Sequence, residues 1–245
     1  MAVNKIIKTN EDLSHNVAKT TLLDLQLKKK PLFLLPGNLY DTTTTNTRVF
    51  DVSGNDRHAY FQGLTFEGAT LDGNITSIVL PGTQTKFNMY YGDWMNVDDF
   101  TLEGLWYINQ STGPFHLFTK ATGLNKVFMY RFNYSAGRLS TMYISIANTL
   151  TGGQSSTVAF YNFSAHHCVM TWNASTGKAI SWVDGVNDYE LDIAGTPSKY
   201  KIALEIGMSD NGSYESNGRA SHLAMYDRVL TADEIMNHAK VAGYA

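Results

Sequence analysis

The stretch ISWVDGVNDYELD, residues 180–192, decides how this chain is read. Asp184-Gly185 is a two-residue connector suited to a type I′ turn, whose twist matches the strands it joins. Ahead of it, Ile180 and Trp182 share one strand face and Ser181 and Val183 the other. Behind it, Asp188, Glu190 and Asp192 fall at every second position, so an unbroken strand would align three carboxylates on one side. The stretch predicts an antiparallel hairpin and raises a question of function: a catalytic face, or a charged edge.

Outward from this hairpin the same texture repeats. Turn signals recur at Ser53-Gly54-Asn55, Pro81-Gly82, Gly152-Gly153 and Ser175-Thr176-Gly177. Between turns lie β-rich runs: ITSIVL, DFTLEGLWYI, KVFMYRFNY, RLSTMYISIA, STVAFYNF, HCVMTW, KAISWV and KYKIALEIG. Phe100, Leu102, Gly104, Trp106 and Ile108 share one parity, as do Ile202, Leu204 and Ile206. Many strands without interleaved helices predict an all-β, antiparallel β-sandwich of jelly-roll type over residues 36–245. A 245-residue chain with 43% hydrophobic residues is large enough for such a core as one domain.

The two ends differ from the middle. Residues 1–35 read as an N-terminal docking arm, with Leu23, Leu25 and Leu27 alternating as in a strand before PLFLL and the Pro36-Gly37 turn. The arm is expected to be held by its own domain or by a neighbouring subunit. At the other end, Thr231 followed three residues later by Glu234 is a capping box, predicting a short C-terminal helix from Ala232 to about Val241 that ends near Gly243. Ile235, Ala239 and Met236 are its candidate docking residues.

A formal charge of -3 supplies no basic field for nucleic acid. The run Lys28-Lys29-Lys30 is too short to change that. The single cysteine, Cys168, excludes an internal disulfide and a cysteine zinc cluster, and its apolar surroundings predict an inert buried thiol. No apolar leader or membrane-inserting span is read, so synthesis in a cytoplasm is expected. His166 and His167 point to opposite faces of a strand and do not share a metal.

Four stretches in order resemble the concanavalin A-like lectin/glucanase superfamily, in its laminin-G-like branch of the kind found in bacteriophage structural proteins. They are FDVSGNDRHAYFQG (50–63), FTLEGLWYI (100–108), HHCVMTWNASTGKAISWVDGVND (166–188) and GRASHLAMYDRVLTADEI (218–235). The resemblance covers about residues 35–245 and implies the sandwich, with a tryptophan of FTLEGLWYI between its sheets. The architecture hosts lectins, hydrolases and assembly modules alike, so function has to come from a site.

Three sites are candidates. In MYYGDWMNVDDF, Tyr90, Tyr91 and Trp94 lie around Gly92 and Asp93. Aromatic faces with a nearby carboxylate suit a saccharide, so Tyr90, Tyr91, Asp93 and Trp94 are the candidate carbohydrate-binding residues; the alternative is that one or two rings plug the end of the sandwich. Glycosidases on this architecture carry a Glu-x-Asp-x-Glu strand; here the order is Asp188-Glu190-Asp192, and the alternative is a protected sheet edge. Asp210, Asn211 and Glu215, with Asp51 at the opening of the family motif, are the calcium candidates; that loop alone supplies few oxygens, and the alternative is an ordinary polar turn. No catalytic or metal residues, and no cofactor apart from a possible calcium ion, are assigned.

The resemblance implies a non-enzymatic bacteriophage virion structural protein: head decoration, tail fibre or spike. Such a protein docks on other virion proteins through the arm, is a homo-oligomer (a trimer favoured), and displays its sandwich to cell-surface glycans. A free lectin and a glycoside hydrolase using the 188–192 strand are the alternatives.

Overall fold

The computed structural model describes residues 17–37, 40–42, 46–62, 69–71, 75–81, 86–109, 114–122, 125–133, 139–146, 149–154, 164–193, 195–207 and 216–245. Calcium candidates Asp210, Asn211 and Glu215, the run STVAFYNF and residues 1–16 of the arm lie outside them. In chain order the elements are α1 (Val17–Lys28), β1 (Phe33–Leu35), β2 (Tyr40–Thr42), β3 (Asn46–Val49), β4 (Ala59–Gln62), β5 (Ala69–Leu71), β6 (Ile75–Pro81) and β7 (Lys86–Met89). Then come β8 (Phe100–Ile108), β9 (Pro114–Thr122), β10 (Asn125–Asn133), β11 (Leu139–Ile146) and β12 (Thr149–Gln154). The last are β13 (Ala165–Asn173), β14 (Lys178–Val183), β15 (Val186–Asp192), β16 (Leu204–Ile206), β17 (Asn217–Tyr226) and α2 (Ala232–Ala242).

The strands form two antiparallel sheets. One runs β15-β14-β13-β8-β17-β6-β5, with β1 also on β17; the other runs β12-β11-β10-β9-β16-β7-β4-β3-β2. The faces follow the alternation. Phe100, Leu102 and Trp106 of β8 and Cys168, Met170 and Trp172 of β13 enter the core between the sheets. Trp106 is fully buried and meets Phe115 and Phe118 edge-on, with ring centroids 6.1 and 5.4 Å away. Gly104 sits on that face because a Cβ there would come within 2.6 Å of both Leu223 and Trp106. Burial holds the Cys168 thiol well above its usual range, with Asp184 and Asp188 adding to the effect, so the thiol stays neutral.

The hairpin forms as read. Asp184 and Gly185 have φ of 50° and 80°, and Ala179, Ser181 and Val183 face inward. Trp182 is on the outer side, half-buried against the cluster of Leu34, Val169, Ala224 and Ile235. KYKIALEIG is shorter as a strand than expected: only Leu204–Ile206 reaches the ladders of β7 and β9.

The largest difference lies in the arm. TLLDLQLK is helical, not extended. Leu22, Leu25, Gln26 and Lys29 recur at helical spacing on the more buried side, while Asp24, Leu27 and Lys28 are exposed. Leu23, Leu25 and Leu27 follow a strand period, while Leu22, Leu25 and Lys29 follow a helical one, and packing chose the helix. Lys30, at φ 53°, ends it just before Pro31. Leu22 packs with Leu105 and Ala165 on the outer face of the eight-stranded sheet, beside Val241, Ala242 and Tyr244. Lys29 pairs with Glu234 at 2.6 Å. β1 then adds to β17 with Phe33 opposite Met225. Residues 22–35 are thus held by their own sandwich.

Helix α2 has the expected capping box and an αL Gly243. Ile235, Ala239 and His238 are buried; Met236 is half-buried. Arg228 grips Glu234 with both guanidinium nitrogens (2.8 and 3.1 Å), which ties the end of β17 to the capping glutamate. That grip, with Lys29 and the helix-start amide, takes the Glu234 carboxyl down to about 2, against the cost of its partial burial.

Candidate functional site

The four candidate glycan residues sit on the loop between β7 and β8. A single 3-10 turn, Asp93–Met95, is pinned by Met95, whose side chain is buried in the core. Gly92 is needed for space: a Cβ there would lie 2.2 Å from Nε1 of Trp94, whose indole folds back over it.

Trp94 is bracketed. Its ring meets Phe33 edge-on at 6.0 Å, and the Arg57 guanidinium lies 4.4 Å over it. The D-x-S-G-N stretch explains that guanidinium. Asp51, nearly buried, accepts from the amides of Leu34 (2.8 Å), Ser53 (2.9 Å) and Arg57 (2.9 Å) and from the Ser53 hydroxyl (2.8 Å). Asn55 Nδ2 donates to the carbonyls of Pro31 and Leu32, and Arg57 Nη1 donates to Leu32 at 2.8 Å. One acidic residue therefore ties the loop to β1 and aims Arg57 at Trp94.

Tyr91 is bound by polar partners. Its hydroxyl donates to the Asp93 carboxylate, which raises its pKa, and accepts from Asn96 Nδ2 at 3.1 Å. The fully buried Lys120 lies 5.8 Å from the Tyr91 ring centroid and donates to Met95 O (3.0 Å) and Asn96 Oδ1 (2.7 Å). Burial pushes Lys120 down to about 8.

Tyr90 differs from both. It is 61% exposed and leans on Tyr60 at 5.2 Å and 45°. Asp93, three residues on, is exposed as well. The loop thus brings the four residues onto one braced lip but leaves only Tyr90 with a widely open aromatic surface. Sequence reasoning missed Arg57, Tyr60 and Lys120, which come from distant strands and loops.

The carboxylate strand is not a row. β15 is the outermost strand of its sheet, and a bulge beside Asp188 shifts the register between the Ser181–Tyr189 and Trp182–Asn187 pairs. Glu190 and Asp192 face out with Lys178: Glu190 is held by Lys178 (2.8 Å) and Asn187 (2.7 Å), and Asp192 is 3.8 Å from Lys178. Asp188 instead acts on the buried Tyr130 and Cys168 of the interior. The bulge therefore breaks the predicted alignment.

His166 and His167 point oppositely, as their adjacency requires. His167 Nε2 and His238 Nδ1 both lie 2.8 Å from Oε1 of Glu103, and Tyr226 donates to Oε2 at 2.7 Å. Glu103 is fully buried; burial alone would raise its pKa, yet the charges and hydrogen bonds of His238 and His167 hold it well below the usual range. Nothing in FTLEGLWYI announces this except an acid at an outward position of a core strand. Among the described residues no group of three His, Cys, Asp or Glu side chains is placed to hold a metal ion.

The fold recurs in solved structures. The chain is similar to the ligand-binding domain of botulinum neurotoxin serotype D in complex with N-acetylneuraminic acid (TM-score 0.66, 11% identity, covering 91% of this chain and 52% of that one). It is also similar to the binding domain of Paraclostridial Mosquitocidal Protein 1 (0.64, 13%, 87% and 52%). A third is domain 4 of AbnA, an extracellular arabinanase from Geobacillus stearothermophilus, in complex with arabinotriose (0.59, 14%, 77% and 91%). The chain spans about half the length of the first two. No curated protein sequence matches it. The Laminin_G_3 family, described as the concanavalin A-like lectin/glucanases superfamily, matches residues 72–236. With its two sheets, inter-sheet tryptophan and capped closing helix, the chain belongs to that family.

Proposed function

We propose that this protein is an adhesion module that holds a saccharide against Tyr90. The observation that carries this reading is the exposed Tyr90 ring, leaning on Tyr60, on an anchored loop that also carries the exposed Asp93. A fixed aromatic face stacks on a sugar ring with little ordering cost, and a carboxylate orients its hydroxyls. Two similar structures are complexes with N-acetylneuraminic acid and arabinotriose, which supports a saccharide as the ligand class. The position of Glu190 on an exposed edge, tied up by Lys178, favours binding over glycoside cleavage.

The finer reading is a bacteriophage virion component, a homotrimer by preference, that displays this sandwich on the particle. It rests on the resemblance of the four motif stretches. With residues 22–35 packed on their own domain, docking falls to the residues before α1.

The test is titration of the purified chain with sialylated and arabinose oligosaccharides, with and without calcium, beside a glycan array. Tyr90→Ala is expected to abolish binding and leave the melting temperature unchanged. Absence of binding to every glycan, or undiminished binding by Tyr90→Ala, overturns the reading. Deletion of residues 1–16 tests docking: particle incorporation is lost while glycan binding persists.

A further inference from the structure

At the far end of the same sheet, three side chains form a hydrogen-bonded relay. Ser164 Oγ lies 2.7 Å from His166 Nε2, and His166 Nδ1 lies 2.8 Å from Asp184 Oδ2. A carboxylate only accepts, so in the neutral ring Nδ1 carries the proton toward Asp184, and Nε2 is left to accept from the serine hydroxyl. Asp184 is itself immobilised. Its amide donates to His167 O at 2.8 Å, its Oδ1 accepts from His167 N at 2.9 Å, and its φ of 50° is fixed by the hairpin turn. Only Oδ2 remains for the imidazole. The histidine is thus oriented by a rigid acid and the serine faces the ring nitrogen that can take its proton, the division of roles in a nucleophilic relay.

The relay is accessible from solvent. The His166 and Asp184 side chains are 19% and 28% exposed, and Ser164 is partly exposed. It is also separate from the lip. Ala165 pairs with Tyr107 and Trp172 with Phe100, seven steps along β8, so the relay and the Tyr90 loop lie about 20 Å or more apart at a typical strand rise.

The geometry points to Ser164 as an acyl-accepting nucleophile, with His166 as its general base and Asp184 as the residue that positions His166, acting on carboxylic esters. Ser164 Oγ attacks the ester carbonyl carbon while its proton passes to His166 Nε2. The bond to the alcohol oxygen breaks, and the departing alcohol takes that proton. Water, deprotonated by Nε2, then attacks the acyl-serine; the carboxylic acid leaves and the serine regains its proton. Asp184 remains a carboxylate throughout. This activity goes beyond saccharide binding and does not depend on it.

The experiment is active-site labelling of the purified full chain with a fluorophosphonate probe, the adduct mapped by mass spectrometry, alongside 4-nitrophenyl acetate turnover. The expected result is a single adduct on Ser164 that requires the folded chain. Ser164→Ala removes it, and His166→Ala slows labelling at least 100-fold, in the range a general base contributes. Asp184→Asn slows labelling too; because it touches the hairpin, it is read only with an unchanged melting temperature. No adduct on Ser164, labelling as fast in the heat-denatured chain, or ester turnover unchanged in Ser164→Ala overturns the assignment.

Discussion

Glu103 and His238 stand 2.8 Å apart, carboxylate oxygen to imidazole nitrogen, across the boundary between the eight-stranded sheet and the last helix. Both side chains are sealed from water. The closing helix is therefore docked through a buried polar contact as well as through Ile235 and Ala239. Removing one member of such a set leaves the others buried and unpaired, at about 3–5 kcal/mol.

Glu103→Gln is expected to destabilise the fold by about 3 kcal/mol at pH 7. The folded carboxyl titrates below its unfolded value, so the contribution is fully present above about pH 4.5 and is lost as pH falls through the lower folded value. Urea unfolding of both proteins at pH 7, 5 and 3 should show a gap that is constant between the first two and narrows at the third. A gap that closes already at pH 5 would contradict the assignment.

Acid should weaken the protein before any carboxylate titrates. Burial drives His222 down to about 4, with Glu103 opposing and His167 assisting, and drives His116 down to about 3, with Arg131 assisting. The unfolded chain then binds more protons below about pH 6.5, so stability falls as pH drops from there toward those values, by up to about 1.4 kcal/mol per pH unit for each histidine. His222→Asn suits the positive φ of 52° at that position and should flatten the slope; a stability curve level from pH 6.5 to 4.5 in the parent protein refutes this.

Trp94 and Tyr90 should separate in thermal melts. Trp94 packs on Phe33 beneath Arg57, and Trp94→Ala is expected to cost about 2–3 kcal/mol. Tyr90→Ala, at an exposed ring, should stay within about 0.5 kcal/mol. Equal losses for the two would remove the distinction drawn between brace and platform.

Gly185→Ala combines two faults. Its φ is 80°, and the new Cβ would meet Met236 Sδ at 3.0 Å and the Ala239 Cβ at 3.1 Å. A loss of about 1–3 kcal/mol, with faster amide exchange in α2, is expected. Unchanged exchange in α2 would show that the hairpin tip does not support the helix.

Local rules carried much of this structure into the sequence. The Asp184-Gly185 turn, the Thr231–Glu234 capping box and the inward parity of Phe100, Leu102 and Trp106 each depend on neighbours a few residues away. What stayed hidden depends on distant partners. Leu23, Leu25 and Leu27 read as a strand while Leu22 and Leu25 read as a helix, and only the sheet beneath Leu22 selects one. The bulge at Asp188 leaves no mark in NDYELD. Glu103 meets His238, 135 residues on, and Arg57 reaches Trp94 through a turn set by Asp51. In the candidate site the four residues of the loop were legible, but which ring is left open was decided by Arg57, Lys120 and Tyr60.

The pairing of Phe33 with Met225 has a consequence for biosynthesis. Strand β17 has β8 on one side; its other edge is shared by β6 and, beyond the His222 irregularity, by β1. The early strand waits for a partner that the ribosome makes almost two hundred residues later. Closure of a loop that long is slow and leaves apolar β1 and α1 uncovered in the interval. Nascent chains stalled before β17 should therefore be bound by chaperones and cleaved by protease within residues 17–35, and should become resistant only once the closing strand has emerged.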